Sequence, residues 1–352
     1  MTQPQWLAAL LSLVLLLAPL EGFAARNAPE KSKSASSQVK AKAKAKAKKT
    51  KTRKAKATPV AKAKAKVKSK RKGKATAKAK NRSRQRVAAR KAAPPPLPAS
   101  PDQLRLNASV AYVMDQETGE VILSRNDDDV RPIASLTKLM TGMIVSDAQL
   151  PLDETITIEQ ADVDRLKYSR SRLKVGTELT RRQALHLALM SSENRAAHAL
   201  ARTYPGGVSA FVNAMNNKAR QLGMDQTQYV DPTGLSSRNR SSARDLAILA
   251  AAAYQRPLLR KYSTSPGYQL AVDGGKLRYV NSNGLVRAGQ WNIGLQKTGY
   301  ISEAGQCLLV QTKVDGRNLI MVFLDSATKV TRLRDAEIVR RWIKTYGDDD
   351  QG

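Results

Sequence analysis

Three short groups of residues, Ser135-Leu136-Thr137-Lys138, Ser192-Glu193-Asn194 and Lys297-Thr298-Gly299, hold side chains suited to acyl transfer, and successive groups begin 57 and 105 residues apart. A serine hydroxyl is a poor nucleophile until a base takes its proton. The spacing of three in Ser135-x-x-Lys138 puts hydroxyl and amine on one helical face, within reach of each other. For that role the amine must be neutral part of the time, so its pKa must lie well below the free value of about 10.4, through burial or a neighbouring cation such as Lys297. Ser192 offers a second hydroxyl to relay a proton to a leaving amine, with Ser191 as a competitor for that task. The Asn194 amide is suited both to a substrate carbonyl and to holding Lys138. Lys297 and Thr298 present a positive charge and a hydroxyl that fit a substrate carboxylate, and Gly299 lets a substrate backbone approach without a Cβ in the way. Each group alone is common, and their order and spacing restrict the reading. Chemistry of this kind needs no cofactor.

These residues must be positioned by distant elements. Residues 133–148 read as a helix with Ser135 in its first turn. Thr180 starts a helical section over 181–202, so Ser192-Glu193-Asn194 has to project from a loop between helices. The apolar run 293–296 reads as a strand that Lys297-Thr298-Gly299 follows. Alternation at Val110, Tyr112 and Met114, then Glu117-Thr118-Gly119 and Val121-Ile122-Leu123, predicts an opening hairpin. Helices are expected at 207–222, 243–253 and 331–346. Further strands are expected at 269–272, 277–280, 307–314 and 318–324, the last two joined at Asp315-Gly316. Strands at both ends of a helical middle predict an α+β domain whose antiparallel sheet is assembled from both termini and flanked by helices.

The three groups resemble the Ser-x-x-Lys, Ser-x-Asn and Lys-Thr-Gly motifs of penicillin-binding proteins and serine β-lactamases. The resemblance covers about Leu104 to Tyr346. It implies a β-lactamase/transpeptidase-like fold: a five-stranded antiparallel sheet flanked by helices, an all-helical subdomain, and the active site in the cleft between them. It also implies Ser135, Lys138 and Ser192 as catalytic residues, and Asn194, Lys297, Thr298 and Gly299 as substrate-binding residues. The oxyanion hole would be built from the backbone N–H groups of Ser135 and Tyr300. The implied substrates are peptidoglycan stem peptides and their cross-links, with β-lactams as inhibitors.

The surroundings of the motifs, Ser191 to Ala197, Lys297 to Gly305 and Asp231-Pro232-Thr233-Gly234-Leu235, are similar to those of low-molecular-mass D-alanyl-D-alanine peptidases. Class A β-lactamases usually have Asp at the position of Glu193 and use a glutamate to activate water; Glu154 and Glu159 are the nearest such acids here. The short C-terminus favours the endopeptidase subgroup, which cleaves the D-alanyl to meso-diaminopimelyl cross-link. A DD-carboxypeptidase is the alternative, followed by a β-lactamase and by a non-enzymatic polyanion-binding or envelope-binding protein.

Composition divides the chain. Residues 26–100 carry 28 Lys and Arg against the single acid Glu30, whereas the whole chain has a net charge of +32. The excess charge is therefore a property of one tract. Its Lys-Ala alternation has nothing apolar to bury, and like charges four apart oppose a helix, so a disordered, extended tract with a Pro-rich end is expected. It is similar to linker-histone tails, but with no aromatic to stack on bases it does not predict sequence-specific nucleic-acid binding. An envelope polyanion is the expected partner. The apolar run Trp6 to Leu20 and the small residues at Gly22-Phe23-Ala24 predict a signal peptide over 1–25 and a periplasmic protein, a retained anchor being the alternative. The peptidase domain is expected over 101–347 and an acidic tail over 348–352. His186 and His198 have no companions at metal-ligand spacing, so no metal site is expected. The lone Cys307 reads as a small apolar core residue.

Overall fold

The computed structural model describes residues 97–346; the predicted signal segment, almost all of the basic tract and the acidic tail lie outside the described residues. In chain order the strands are Val110–Asp115 (β1), Val121–Arg125 (β2), Arg131–Pro132 (β3), Thr155–Thr157 (β4), Glu178–Thr180 (β5), Arg240–Ser241 (β6), Gly267–Val272 (β7), Gly275–Val280 (β8), Asn292–Ile301 (β9), Gly305–Val314 (β10) and Arg317–Ser326 (β11). The α-helices are Lys138–Asp147 (α1), Arg181–Met190 (α2), Asn194–Arg202 (α3), Gly207–Gln221 (α4), Ala243–Tyr254 (α5), Pro257–Ser263 (α6), Gly284–Ala288 (α7) and Lys329–Tyr346 (α8).

Five strands form one antiparallel sheet in the order β2-β1-β11-β10-β9, so the first hairpin of the domain pairs with its last strand. The period-two alternation of the inner strands divides the core. Leu308 and Val310 of β10, with Met321 and Phe323 of β11, pack under α8 against Val339 and Ile343. Leu309, Ile320 and Val322 face the opposite way, into the core that also holds Leu139, Met140, Leu185 and Leu246 of the helical lobe. Strands buried on both faces read as continuous apolar runs. This explains why β10 and β11 lack polar alternation.

Three local differences from the sequence expectation bear on the site. Ser135 lies in a 3₁₀ turn, Ala134–Thr137, that precedes α1, and Ala134 has a positive φ of 46°. The helical section over 181–202 is two helices: Thr180 starts α2 as expected, in a capping box with Gln183, α2 stops at Met190, and Ser192 adopts φ +63° before α3 starts. Strand β9 continues through the Lys-Thr-Gly group, because Lys297, Thr298 and Gly299 pair with Leu309, Leu308 and Cys307. The group is therefore part of the strand and does not follow it. As β9 ends the sheet, this register lays it along the cleft.

Candidate active site

The 3₁₀ turn leaves Ser135 half-buried and Lys138 fully buried. The Lys138 Nζ donates to Ser135 Oγ at 2.9 Å, to Asn194 Oδ1 at 2.7 Å and to the Thr233 carbonyl at 2.6 Å. Burial pushes its pKa down to about 7, against the opposing pull of Asp231, Glu193 and Asp164. Desolvation thus supplies the shift that base chemistry requires. The expected help from Lys297 is seen chiefly at Lys297 itself: burial, then Lys138 and Arg332, holds that amine well below its ordinary range.

A buried turn fixes the lysine from behind. Asp231 accepts from the backbone N–H groups of Thr233, Gly234 and Ser236 at 2.6, 2.8 and 3.0 Å, which aims the Thr233 carbonyl at Lys138. Asn239 ties the turn to the nucleophile's own helix, donating to the Asp231 carbonyl at 2.8 Å and to Thr137 Oγ1 at 3.1 Å. Gly234 has φ +79°, and a Cβ there would lie 1.9 Å from the Ala134 carbonyl oxygen. The expected result for Gly234→Ala is a loss of at least about 3 kcal/mol in chemical denaturation, because both the clash and the left-handed backbone are unfavourable.

The interruption between α2 and α3 separates the two adjacent serines. Ser191 Oγ turns back to the Leu187 carbonyl at 2.8 Å, whereas Ser192 Oγ accepts from Lys297 Nζ at 2.9 Å. Only Ser192 faces the lysine of the third motif. Asn194, at the start of α3, holds Lys138 through Oδ1 and donates through Nδ2 to Ser169 Oγ at 2.8 Å. The loop carrying Ser169 also reaches the sheet side, where Lys167 pairs with Glu303 in the β9–β10 turn.

On β9, Lys297 also donates to the Thr298 carbonyl at 2.8 Å, and Thr298 Oγ1 donates to Ser282 Oγ at 2.8 Å. Gly299 has a more local role than the sequence reading gave it. A Cβ there would lie 3.1 Å from each of Ser135 N, Ile133 O and Ala134 Cβ, so its absence lets the nucleophile turn sit against the strand. Ser135 N thereby lies against the strand at Gly299, the residue before Tyr300. The Tyr300 side chain is exposed. Behind β9, the buried Arg332 donates to the Gly299 and Cys307 carbonyls and to Gln306 Oε1. Its charge is one of the causes, after burial and Lys138, that hold the Lys297 amine below its ordinary range.

Other residues singled out in the sequence are occupied elsewhere. Glu154 and Glu159 pair with Arg181 and Arg202, each at 2.7 Å. His186 stacks on Tyr262, and His198 contacts Asp162 at 2.7 Å. Cys307 is buried in β10, and its thiol is pushed up to about 11 by desolvation. The site residues that sequence reasoning missed are Thr233, Asn239, Ser169 and Ser282. The Asp231-Pro232-Thr233-Gly234 segment was legible as a turn; that its carbonyl would meet Lys138 was not.

An antiparallel sheet, a helical lobe and a serine-lysine pair set in the cleft against a Lys-Thr-Gly strand define a penicillin-binding serine peptidase of the transpeptidase-like fold. The chain belongs to peptidase family S11, described as D-alanyl-D-alanine carboxypeptidase, whose profile matches residues 97–328. It is 48% identical over 259 residues to a D-alanyl-D-alanine endopeptidase of Pseudomonas aeruginosa, covering 73% of this chain and 84% of that protein. It is 44% identical over 245 residues to the Escherichia coli protein of the same description, covering 69% and 79%. Among solved structures, a Streptomyces DD-transpeptidase superposes with a TM-score of 0.64 at 28% identity, covering 69% of this chain and 98% of that one. Penicillin-binding protein D2 of Listeria monocytogenes, in its ampicillin-bound form, gives 0.59 at 29% identity, covering 68% and 98%.

Proposed function

We propose that this protein is a serine D-alanyl-D-alanine endopeptidase that opens peptidoglycan cross-links through an acyl-enzyme on Ser135. The observation that carries the reading is the buried Lys138 amine, 2.9 Å from Ser135 Oγ and with its pKa lowered to about 7. Lys138 takes the hydroxyl proton as Ser135 Oγ bonds to the D-alanyl carbonyl carbon. The resulting oxyanion faces the N–H groups of Ser135 and Tyr300. Collapse breaks the amide C–N bond: the departing amine takes the hydroxyl proton of Ser192, which Lys297 holds, and Ser192 is reprotonated by the proton that Lys138 took from Ser135, so that Lys138 is neutral again. Lys297 and Thr298 hold the carboxylate on the carbon that bears that amine. Water then attacks the ester; Lys138 accepts its proton and returns it to Ser135 Oγ as the ester C–O bond breaks, which restores the enzyme.

Substrate choice within the family is tested by digesting purified cross-linked dimers beside monomeric pentapeptides. Cleavage of dimers to monomers is the expected result. Removal of terminal D-Ala from monomers while dimers stay intact would make the protein a DD-carboxypeptidase. The 48% and 44% identities to endopeptidases favour the first outcome.

Placement in the periplasm, with residues 26–100 retaining the enzyme on an envelope polyanion, belongs to the same proposal. The support is the charge of that tract, 28 cations against one acid. Displacing counterions from an anionic polymer makes such binding steeply salt-dependent. Isolated envelopes should retain the full chain at low salt and release it at high salt. A chain lacking 26–96 that is retained equally well removes the tract from the account.

A further inference from the structure

The cleft is bridged from wall to wall by a side-chain pair that the acyl-transfer steps do not use. Residues 163–173 form a loop on the helical side that is tied down at its base. Arg195 of α3 donates to the Leu173 carbonyl at 2.6 Å, and Asn194 donates to Ser169 Oγ at 2.8 Å. Within the loop, Asp164 accepts from the backbone N–H groups of Leu166, Lys167 and Ser169 at 2.8, 3.0 and 2.8 Å, which shapes the tip. From that tip Lys167 crosses to Glu303. The tight β9–β10 turn presents Glu303: Ala304 N–H donates to the Ile301 carbonyl at 3.1 Å, and Ser302 Oγ donates to Glu303 Oε2 at 2.7 Å. Leu166 and Tyr168, on either side of Lys167, are 64% and 81% exposed, so no apolar packing holds the tip across the cleft. The ion pair itself stands in solvent, its side chains 31% and 41% exposed, and pairs of that kind are weak enough to part and re-form readily.

The bridge closes a ring. From Ser135 the contacts run through Lys138 and Asn194 to Ser169, along the loop to Lys167, across to Glu303, and back along β9 to Gly299, which lies against Ser135. On the peptidase reading, on which this inference rests, Lys297 and Thr298 hold the leaving group, so Glu303, beyond Tyr300, lies over the acyl donor. Topology then separates two kinds of wall substrate. A stem peptide that ends in D-Ala-D-Ala has a free end, which slides beneath a closed bridge. A cross-link has none, because donor and acceptor are each tied to a glycan strand, so it enters only from the side and only when the bridge parts. We propose that Lys167 and Glu303 form a gate that sets specificity: shut, it passes free-ended stems; open, it admits cross-links.

The test locks the gate in the full-length protein. Lys167→Cys and Glu303→Cys are combined and joined by a short bis-maleimide; Cys307 is fully buried and does not compete. Three quantities are read: labelling by a fluorescent penicillin, slowing of that labelling by a free stem pentapeptide, and cleavage of cross-linked glycan strands. The locked protein should label normally and still be slowed by the pentapeptide, yet lose cleavage of cross-linked strands. Each single-cysteine variant treated with the same reagent should keep all three. Without a lock, cross-links are cleaved by the open fraction alone. Glu303→Gln should therefore raise that cleavage about two- to fivefold, the gain an exposed ion pair allows, and leave penicillin labelling unchanged. The reversed pair, Lys167→Glu with Glu303→Lys, should return cleavage to the parent rate. Cleavage of cross-links by the locked protein overturns the gate, as does a Glu303→Gln protein with no gain. Loss of pentapeptide binding together with cross-link cleavage overturns selection by free ends. A parent protein that takes no penicillin label instead removes the peptidase reading, so the two failures are distinguishable.

Discussion

Ser135→Ala protein takes up no fluorescent penicillin, and its hydrolysis of cross-linked dimers falls by a factor of about 10³ to 10⁶. The size of the effect follows from the arrangement. Lys138 Nζ has one hydroxyl partner, Ser135 Oγ, and its remaining contacts are Asn194 Oδ1 and the Thr233 carbonyl, neither of which can attack an amide. Ser192 cannot substitute, because it stands at Lys297 on the other side of the site. Folding is little changed: the lost hydroxyl accepts from Lys138 and donates only a long 3.5 Å bond to Thr233. Intact-mass measurement after exposure to penicillin gives the check directly. An adduct on the alanine variant moves the nucleophile elsewhere and ends the mechanism proposed above.

The second large effect concerns Lys138 and pH. With its pKa lowered to about 7, the amine is protonated in acid and cannot accept the serine proton. The penicillin acylation rate should therefore rise about tenfold per pH unit below 7 and level off above it. Lys138→Met should lower the rate by a factor of about 10² to 10⁴ and remove this pH step. Linkage gives the same group a second signature. Between pH 7 and 10 the unfolded chain holds a proton on this amine and the folded chain does not, so stability rises with pH across that window. The contribution from Lys138 is least favourable below pH 7, where folding buries the charge. Denaturation curves of the parent and Lys138→Met proteins across the window should diverge in that direction. A pH-independent acylation rate in the parent protein would exclude Lys138 as the base.

How much of this was legible in the sequence depends on the range of the interactions. The helix start at Thr180, the hairpin at Asp315-Gly316 and the strand from Val110 arise within a few residues, and each appears where the sequence put it. The α2–α3 break was harder to see. Residues 181–202 have helix-forming composition throughout, and the interruption is a strained αL conformation at Ser192, whose side chain is held by Lys297 from 105 residues away. Strand β9 was read too short for a similar reason. Its extension through Lys297-Thr298-Gly299 is imposed by pairing with β10, and Lys297 and Gly299 carry weak strand signals of their own.

By itself, the sequence determined which groups react: a hydroxyl, an amine three residues on, a second serine with its asparagine, and a lysine-threonine-glycine strand. Side-chain chemistry is written in residue type, and spacing on a helix is written in residue number. Only the tertiary structure decided that Ser192 and not Ser191 meets Lys297, that the Thr233 carbonyl anchors Lys138, and that Gly299 makes room for the nucleophile turn. A backbone carbonyl is chemically the same at every position, and a missing Cβ matters only where another segment arrives. Burial, too, is a property of the assembled core, so the neutral lysine on which the chemistry turns exists only after the sheet and the helical lobe have closed around it.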